Sequence, residues 1–511
     1  NPIKRQALVE NKRCTHDTFQ DEGYTHLRPR TKSYARHYTE GLAAQICSDL
    51  SLSSNDAVVL KLCNRSRGAG VVVVKRQDID SVLRKLLNPP SPSELDLWFE
   101  SQAANALQRC FDDVLEEQCQ HWWANECPCF LAEVCCHSLP VEKDCGTNEF
   151  FDGTLRVAFA LKRSLDDLDK QWKDQEVCSF DVDWLGGYWK LPSKALESNR
   201  DNEREKGVTP ADLHARVVSS FNSREKRTAE VSEDHLQEVY SILTPALQAI
   251  FRAGNLGVSA ILSKYQNDKL FCSFVLARMA ADQRNCNASA KKVRSLLDLA
   301  QNLVPKQGKE SIQSERCVLS YIKRNESVMC MCAGSWRESI PLLQASLEWL
   351  PHNASSFYFL GLCYQKLSEF DAAIACLQKS ILLDPDFKQP YVLLGSCLMQ
   401  RALYTQAREA GLACLRRHPD SLVAKFNIAQ AIYHMMSSGS ISDVTDLEDI
   451  DGTISLERQA RDFFECAQRN VPEQWNSVDQ SMLEYFQTAS EERSQLPRQP
   501  VHVWNVYGWR P

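Results

Sequence analysis

No apolar run in this chain of 511 residues approaches the roughly 20 that a helix needs to cross a bilayer. The longest stretch, GVVVVKR at 70–76, is sized for a strand or a buried helical segment, and its period does not decide between them. No membrane span is therefore expected. A basic excess is missing as well. Lys and Arg number 59 against 66 Asp and Glu, for a net charge of −7 and a pI near 6.0. A general nucleic-acid binder would need a basic face, so no nucleic-acid partner is expected. The chain has no Walker loop, no G-x-G-x-x-G, no H-E-x-x-H and no G-x-S-x-G. The commonest local signatures of phosphate cradling, zinc proteolysis and serine hydrolysis are thus absent. The opening NPIKRQALVENKR carries neither Met nor an apolar signal core, as a trimmed chain or fragment would.

Cysteine is plentiful, with 21 residues. Cys363, Cys376, Cys397 and Cys414 fall at helix-packing positions, where Cys acts as a small buried hydrophobe. That usage suits a reducing compartment, so the expected location is intracellular, cytoplasmic or nuclear. Four Asn-x-Ser/Thr sites, at Asn64, Asn287, Asn325 and Asn353, are the number that chance supplies in a chain this long.

Three prolines, Pro351, Pro385 and Pro419, stand 34 residues apart, and each closes the same pattern. The unit 354–387 sets Phe357, Leu360-Gly361 and Tyr364 on a first helix. Phe370, Ala373, Leu377 and Ser380 follow on a second, which Pro385 ends. The unit 388–421 repeats it with Tyr391, Leu394-Gly395, Leu398, Tyr404, Ala407, Gly411, Cys414 and Pro419. Small residues at Gly361, Ala373, Gly395 and Ala407 let helices cross closely, while large neighbours fill the grooves. Proline cannot donate a backbone hydrogen bond and so stops each second helix. A weaker unit precedes, near 320–353, with Gly334, Trp336, Ser339, Leu343 and Ser346 before Pro351. Val293, Leu297, Ala300 and Pro305 fit the spacing of a degenerate one. A fourth unit starts with Ala424, Ile428-Ala429 and Ile432, and its second helix comes late, with Ala460, Phe464, Ala467 and Pro472. Pro419 to Pro472 is 53 residues, which implies an insertion near 437–455. The segment 475–488 would cap the array.

These units resemble the tetratricopeptide (TPR) family, over about 170 residues. The resemblance implies a right-handed α-solenoid whose first helices line a concave groove for a protein partner. Carried over residue by residue, the lining is Tyr358, Leu362, Gln365 and Lys366. Gln389, Val392, Ser396, Met399 and Gln400 follow, and then Phe426, Asn427, Gln430 and His434. Adaptors of chaperone tails (Hsp70/Hsp90) clamp a carboxylate with Lys, Asn and Arg. Tyr358, Leu362, Val392 and Ser396 stand in the comparable places, so no such clamp is expected. A mixed apolar and amide lining suits an extended or helical segment of another protein.

The expected fold is all-α. It comprises a polar, disordered arm over 1–35, a mainly helical region over 36–192 and a flexible linker over 193–235. Helices follow over 236–310, then the array with its cap over 311–488 and an aromatic tail over 489–511. Within the N-terminal region, 97–123 reads as one amphipathic helix through Leu97, Phe99, Ala104, Leu107, Phe111, Leu115 and Cys119, and 151–176 as another. Three features could carry chemistry. Cys110, Cys119, His121, Cys127, Cys129, Cys135, Cys136, His137 and Cys145 could supply zinc ligands, but no C-x₂-C knuckle orders them. Asp449 and Asp451-Gly452 look like the middle of a calcium loop, but Leu447 and Arg458 fill its first and last ligand positions. Trp184-Leu-Gly186-Gly187-Tyr188-Trp189 reads as a tight turn with aromatics closing a core, or as a carbohydrate or peptide contact. The reading is a non-enzymatic interaction scaffold without catalytic, cofactor or metal residues. The alternatives are a metal- or thiol-dependent enzyme centred on the Cys-rich region, and a structural subunit whose repeats pack on its own N-terminal region.

Overall fold

Val58, Leu60 and Leu62 alternate along one face of a strand, and a four-stranded antiparallel sheet grows around them. The computed structural model describes residues 11–65, 69–143, 146–163, 180–192, 194–196, 228–253, 258–285, 288–305 and 312–437. Two units divide the chain, Asn1–Pro89 with Phe111–Asn325, and Pro90–Cys110 with Glu326–Pro511.

The first unit begins with α1 (Lys12–Asp21), capped by the Asn11 side chain, then β1 (Thr31–Ala35) and α2 (Leu42–Asp49). β2 (Ala57–Leu62), β3 (Val71–Lys75) and α3 (Ile79–Leu87) follow. After α4 (Pro92–Gln102), which belongs to the second unit, come α5 (Val114–Trp123) and β4 (Cys129–Val134). The strand order is β1-β4-β2-β3, with Leu62 opposite Phe130. One sheet face buries Leu60, Val72, Val74 and Phe130 against Ile46 of α2, Leu83 and Leu86 of α3, and Trp122 of α5. On the other face Glu133 is buried but paired with Arg28 at 3.1 Å and with Lys61.

Two smaller sheets follow, β5 (Pro140–Glu142) with β6 (Phe150–Asp152), and β7 (Thr154–Arg163) with β8 (Phe180–Lys190) and β9 (Thr228–Ala229). Helices then take over: α6 (Glu233–Ala253), α7 (Val258–Lys264), α8 (Lys269–Asn285) and α9 (Ala290–Leu303). α8 and α9 pack as a pair, and Val293, Leu297 and Ala300 are buried as the degenerate-repeat spacing requires.

All-α is therefore corrected for the N-terminal region, and the reasons are local. The VVVV stretch is strand β3. The span 154–163 alternates Leu155, Val157, Phe159 and Leu161, a period of two that fits a half-exposed strand and not the expected helix. The aromatic Gly-Gly segment is not a turn but part of β8, beside a register shift at Ala158/Phe159. Its Trp184 stacks on Tyr240 of α6 at 4.2 Å. The arm at 1–35 contains α1 and β1. The expected helix over 97–123 is broken: α4 gives way to a 3-10 turn, Ala103–Gln108, and α5 starts only at Val114.

The second unit is helical throughout its described residues. After α10 (Gln313–Cys332) come α11 (Trp336–Trp349), α12 (Ala354–Lys366), α13 (Phe370–Leu383), α14 (Lys388–Gln400), α15 (Tyr404–Arg417) and α16 (Leu422–Ser437). From α11 onward each helix packs on the next, as paired repeats demand. Among the described residues no helix is long and apolar enough to cross a membrane. The expected linker lies mostly outside the described residues. The insertion beyond Ser437, the late second helix with its Ala460 and Phe464, the cap, the aspartates of the calcium-like loop and the tail lie outside them.

Candidate functional site

Close helix crossings shape the array. A Cβ placed on Gly361 would lie 2.8 Å from Leu377 Cγ and 3.3 Å from the Ala373 carbonyl, so α12 meets α13 where only hydrogen fits. Gly411 does the same for α15 against α16, with Ile428 Cγ1 at 2.4 Å. Ser380 Oγ ties α13 back to α12 by donating to the Ala354 carbonyl at 2.8 Å. Cys363 and Cys397 are pushed up to about 12 by burial, and Cys376 and Cys414 to about 11. They are protonated thiols filling space, with little nucleophilic character at neutral pH.

The first helices of the repeats, α12, α14 and α16, carry the residues that the resemblance places inward. Eight are buried: Tyr358, Gln365, Val392, Ser396, Met399, Phe426, Asn427 and Gln430. Tyr358, Val392 and Met399 lie within the apolar cluster of the array. Tyr358 packs its ring on Phe387 at 5.2 Å. Asn427 Nδ2 donates to the Val392 carbonyl at 3.1 Å and so ties α16 to α14. Leu362 and His434 are half-buried, the latter stacked on Tyr404 at 5.0 Å. Burial holds the His434 imidazole below its usual range, so the ring is neutral at pH 7. Lys366, Gln389 and Gln400 are exposed.

A second surface of the array is occupied by the chain's own segment 90–110. α4 opens on a capping box, in which Ser91 and Glu94 satisfy each other's backbone N–H and Pro92 sits in the first turn. Its apolar anchors Leu95 and Phe99 are four residues apart, one helical turn, and Ala106 follows on the 3-10 turn. All three pack on Ala354 of α12 and on Leu382 and Leu383 of α13. Phe99 meets Phe357 edge-on at 5.7 Å, and the Lys379 ammonium lies 4.8 Å from its ring centre. Arg417 of α15 donates to the Arg109 carbonyl at 2.6 Å and pairs with Asp386 at 2.7 Å. Burying Leu95 and Phe99 contributes roughly 1.5–3 kcal/mol each. Leu97, expected on the apolar side, is 67% exposed.

The Cys-rich set does not assemble as a whole. Cys110 is exposed in the second unit, and Cys119 lies in the sheet–helix core. His121 faces Glu117 at 3.7 Å, and His137 Nδ1 bonds Asp152 at 2.6 Å. Burial opposes ionisation of Asp152, yet bonds from His137 and the Ser138 N–H hold it below the usual carboxylate range. Cys135 is half-buried, Cys136 is exposed, and Cys145 lies outside the described residues. Cys127 and Cys129 do converge, on Cys63, which sequence reasoning missed. No local motif marks Cys63. The register that sets Leu62 against Phe130 brings Cys63 opposite Cys129.

The family model for the tetratricopeptide repeat matches residues 354–387, the α12–α13 unit. None of the curated proteins is a match to the sequence. Among solved structures, YrrB, described as a TPR protein with an unusual peptide-binding site, is 14% identical over 43% of this chain and 95% of its own, at a TM-score of 0.31. MamA AMB-1 is 16% identical over 39% of this chain and 96% of its own, at 0.28. MamA MSR-1 is 16% identical over 42% and 99%, also at 0.28. Likenesses this weak carry no argument about function. With its 34-residue period, its stacked helix pairs and its match to that model, the α12–α13 unit over 354–387 is a tetratricopeptide repeat within this chain.

Proposed function

We propose that the chain is a non-enzymatic scaffold of an intracellular multiprotein complex, and that its repeats hold a segment of a partner protein. One observation carries this reading: the array already receives a helix from outside the repeats, α4, through the paired anchors Leu95 and Phe99. Helix-in-groove recognition of this kind reads apolar residues a turn apart, and a partner helix needs nothing further. Partner contact is assigned to the first-helix face, where Lys366, Gln389 and Gln400 are exposed. Protonated, buried thiols in the repeats favour a binding role over thiol chemistry there, and suit a reducing cytosol or nucleus.

The test compares partners cross-linked to the full chain in its native cells with those of a triple variant, Lys366→Glu, Gln389→Glu and Gln400→Glu. The scaffold reading expects a defined set of partners, depleted at least about tenfold by the variant, since three like charges cost a rim contact several kcal/mol. An unchanged set removes the first-helix face from the account.

The packing of Leu95 and Phe99 favours a second reading, in which the repeats chiefly hold the chain's own N-terminal segment. Leu95→Ala with Phe99→Ala separates the two. Partners retained after α4 is loosened support the scaffold, and partners lost with it support the structural role.

A further inference from the structure

Cys63, Cys127 and Cys129 are fully or almost fully buried, and their sulfurs lie within 4.8 Å of one another. Cys63 Sγ and Cys127 Sγ each stand 3.7 Å from Cys129 Sγ. A disulfide would need about 2.05 Å. Four thiolates at a Zn–S length of about 2.3 Å make a tetrahedron whose edges are about 3.8 Å. The two observed separations match such an edge.

The surroundings hold the three sulfurs in place and bring cations near them. Cys63 directly follows β2, and Cys129 begins β4, each one residue beyond the last printed β2–β4 pair, Leu62 with Phe130. Cys127 is fixed by its own loop. Its N–H donates to Asn125 Oδ1 at 2.9 Å, its carbonyl accepts from Arg36 at 3.1 Å, and the Pro128 carbonyl accepts from the Arg36 N–H at 2.8 Å. Two cations converge from α1. The Arg13 guanidinium donates to Asp268 at 2.8 Å, and the half-buried Lys12 ammonium bonds the Leu62 and Arg65 carbonyls beside Cys63. Burying two cations is costly unless negative charge lies close. Asp268 and Asp17 face Arg13, Glu133 lies near Lys12, and a zinc ion held by three thiolates would add a net negative charge beside both cations. The array cysteines form no such group of three sulfurs among the described residues.

We propose that Cys63, Cys127 and Cys129 bind one zinc ion as thiolates at the β2–β4 edge, pinning the Cys127–Cys129 loop to the sheet. Thiolate ligands are soft and suit zinc, and three of them leave the fourth position of its tetrahedron open. Binding releases the thiol protons to solvent, so zinc is held more weakly as pH falls.

Elemental analysis of the full chain, purified under reducing conditions without chelator, tests this. About one equivalent of zinc is expected, falling below about a tenth in Cys63→Ser and in Cys129→Ser. Cys376→Ser, in the repeats, keeps the metal. Because losing a ligand can unfold the unit, the unaltered chain is also exchanged with Co²⁺. Sulfur-to-cobalt charge-transfer bands with the d–d bands of a tetrahedral thiolate site then support the assignment without a variant. Zinc below about a tenth of an equivalent with no cobalt bands overturns it. Metal that survives both serine variants, or a disulfide among the three in the reduced chain, also overturns it.

Discussion

At Gly361 and Gly411 an added methyl presses on packed aliphatic carbons, while at Gly395 it meets an amide end that has to give by a few tenths of an ångström. The nearest atom to an added Cβ at Gly395 is the Asn427 amide nitrogen at 3.3 Å, the end of a side chain, whereas the other two positions press on Leu377 and Ile428 at 2.8 and 2.4 Å. Alanine also favours a helix over glycine by about 1 kcal/mol. Gly395→Ala should therefore unfold within about 1 kcal/mol of the unaltered chain, and Gly361→Ala and Gly411→Ala should lose about 1–3 kcal/mol to overpacking. Urea denaturation followed by hydrogen exchange of α12–α16 peptides measures the difference. Equal losses at all three would mean that the close crossings do not hold. These positions are legible in sequence because a steric demand recurs at fixed spacing. Cys63 is not, because only strand register brings it to Cys129.

Element by element, α4 is the informative case. The stripe expected over 97–123 joined two unrelated apolar faces: Phe99 of α4 serves the repeats, while Cys119 and Trp122 of α5 serve the sheet. Periodicity alone cannot reveal that a helix changes cores halfway. Phe99→Ala should cost about 3–5 kcal/mol and free α4 first, read as faster amide exchange at 95–106 while α14–α16 stay protected. Exchange that rises equally throughout the array would contradict a docked, separable helix. The same contact has a pH term. His352, 2% exposed, donates from Nε2 to the Pro90 carbonyl at 3.2 Å, and burial lowers its pKa to about 4. The neutral ring is the folded form, so its contribution is complete above the unfolded value of about 6.5 and is lost as pH falls from there through about 4. The loss is at most about 3 kcal/mol. His352→Gln, which keeps a donor without titrating, should flatten the stability of α4 docking between pH 7 and 4. A slope identical to that of the unaltered chain would place the acid sensitivity elsewhere.

For the molecule as a whole, the repeats were readable and the N-terminal fold was not. The repeats announce themselves because each unit must solve the same packing problem 34 residues later. The sheet hides because β2, β3 and β4 are buried on both faces, at Val59, Val73 and Leu131 as well as at Leu60, Val74 and Phe130, which erases the alternation that marks a strand. The predicted lining was half visible. The resemblance named a set of first-helix positions, but it could not say that Tyr358, Val392 and Met399 join the array's own cluster while Lys366, Gln389 and Gln400 stay outside. The central claim, that this face meets another protein, is tested most directly by a photo-crosslinking amino acid placed at Gln389 and at Gln400 of the full chain in its native cells. The account predicts covalent adducts to a distinct polypeptide, the same one from both positions. Adducts confined to the chain itself would contradict it.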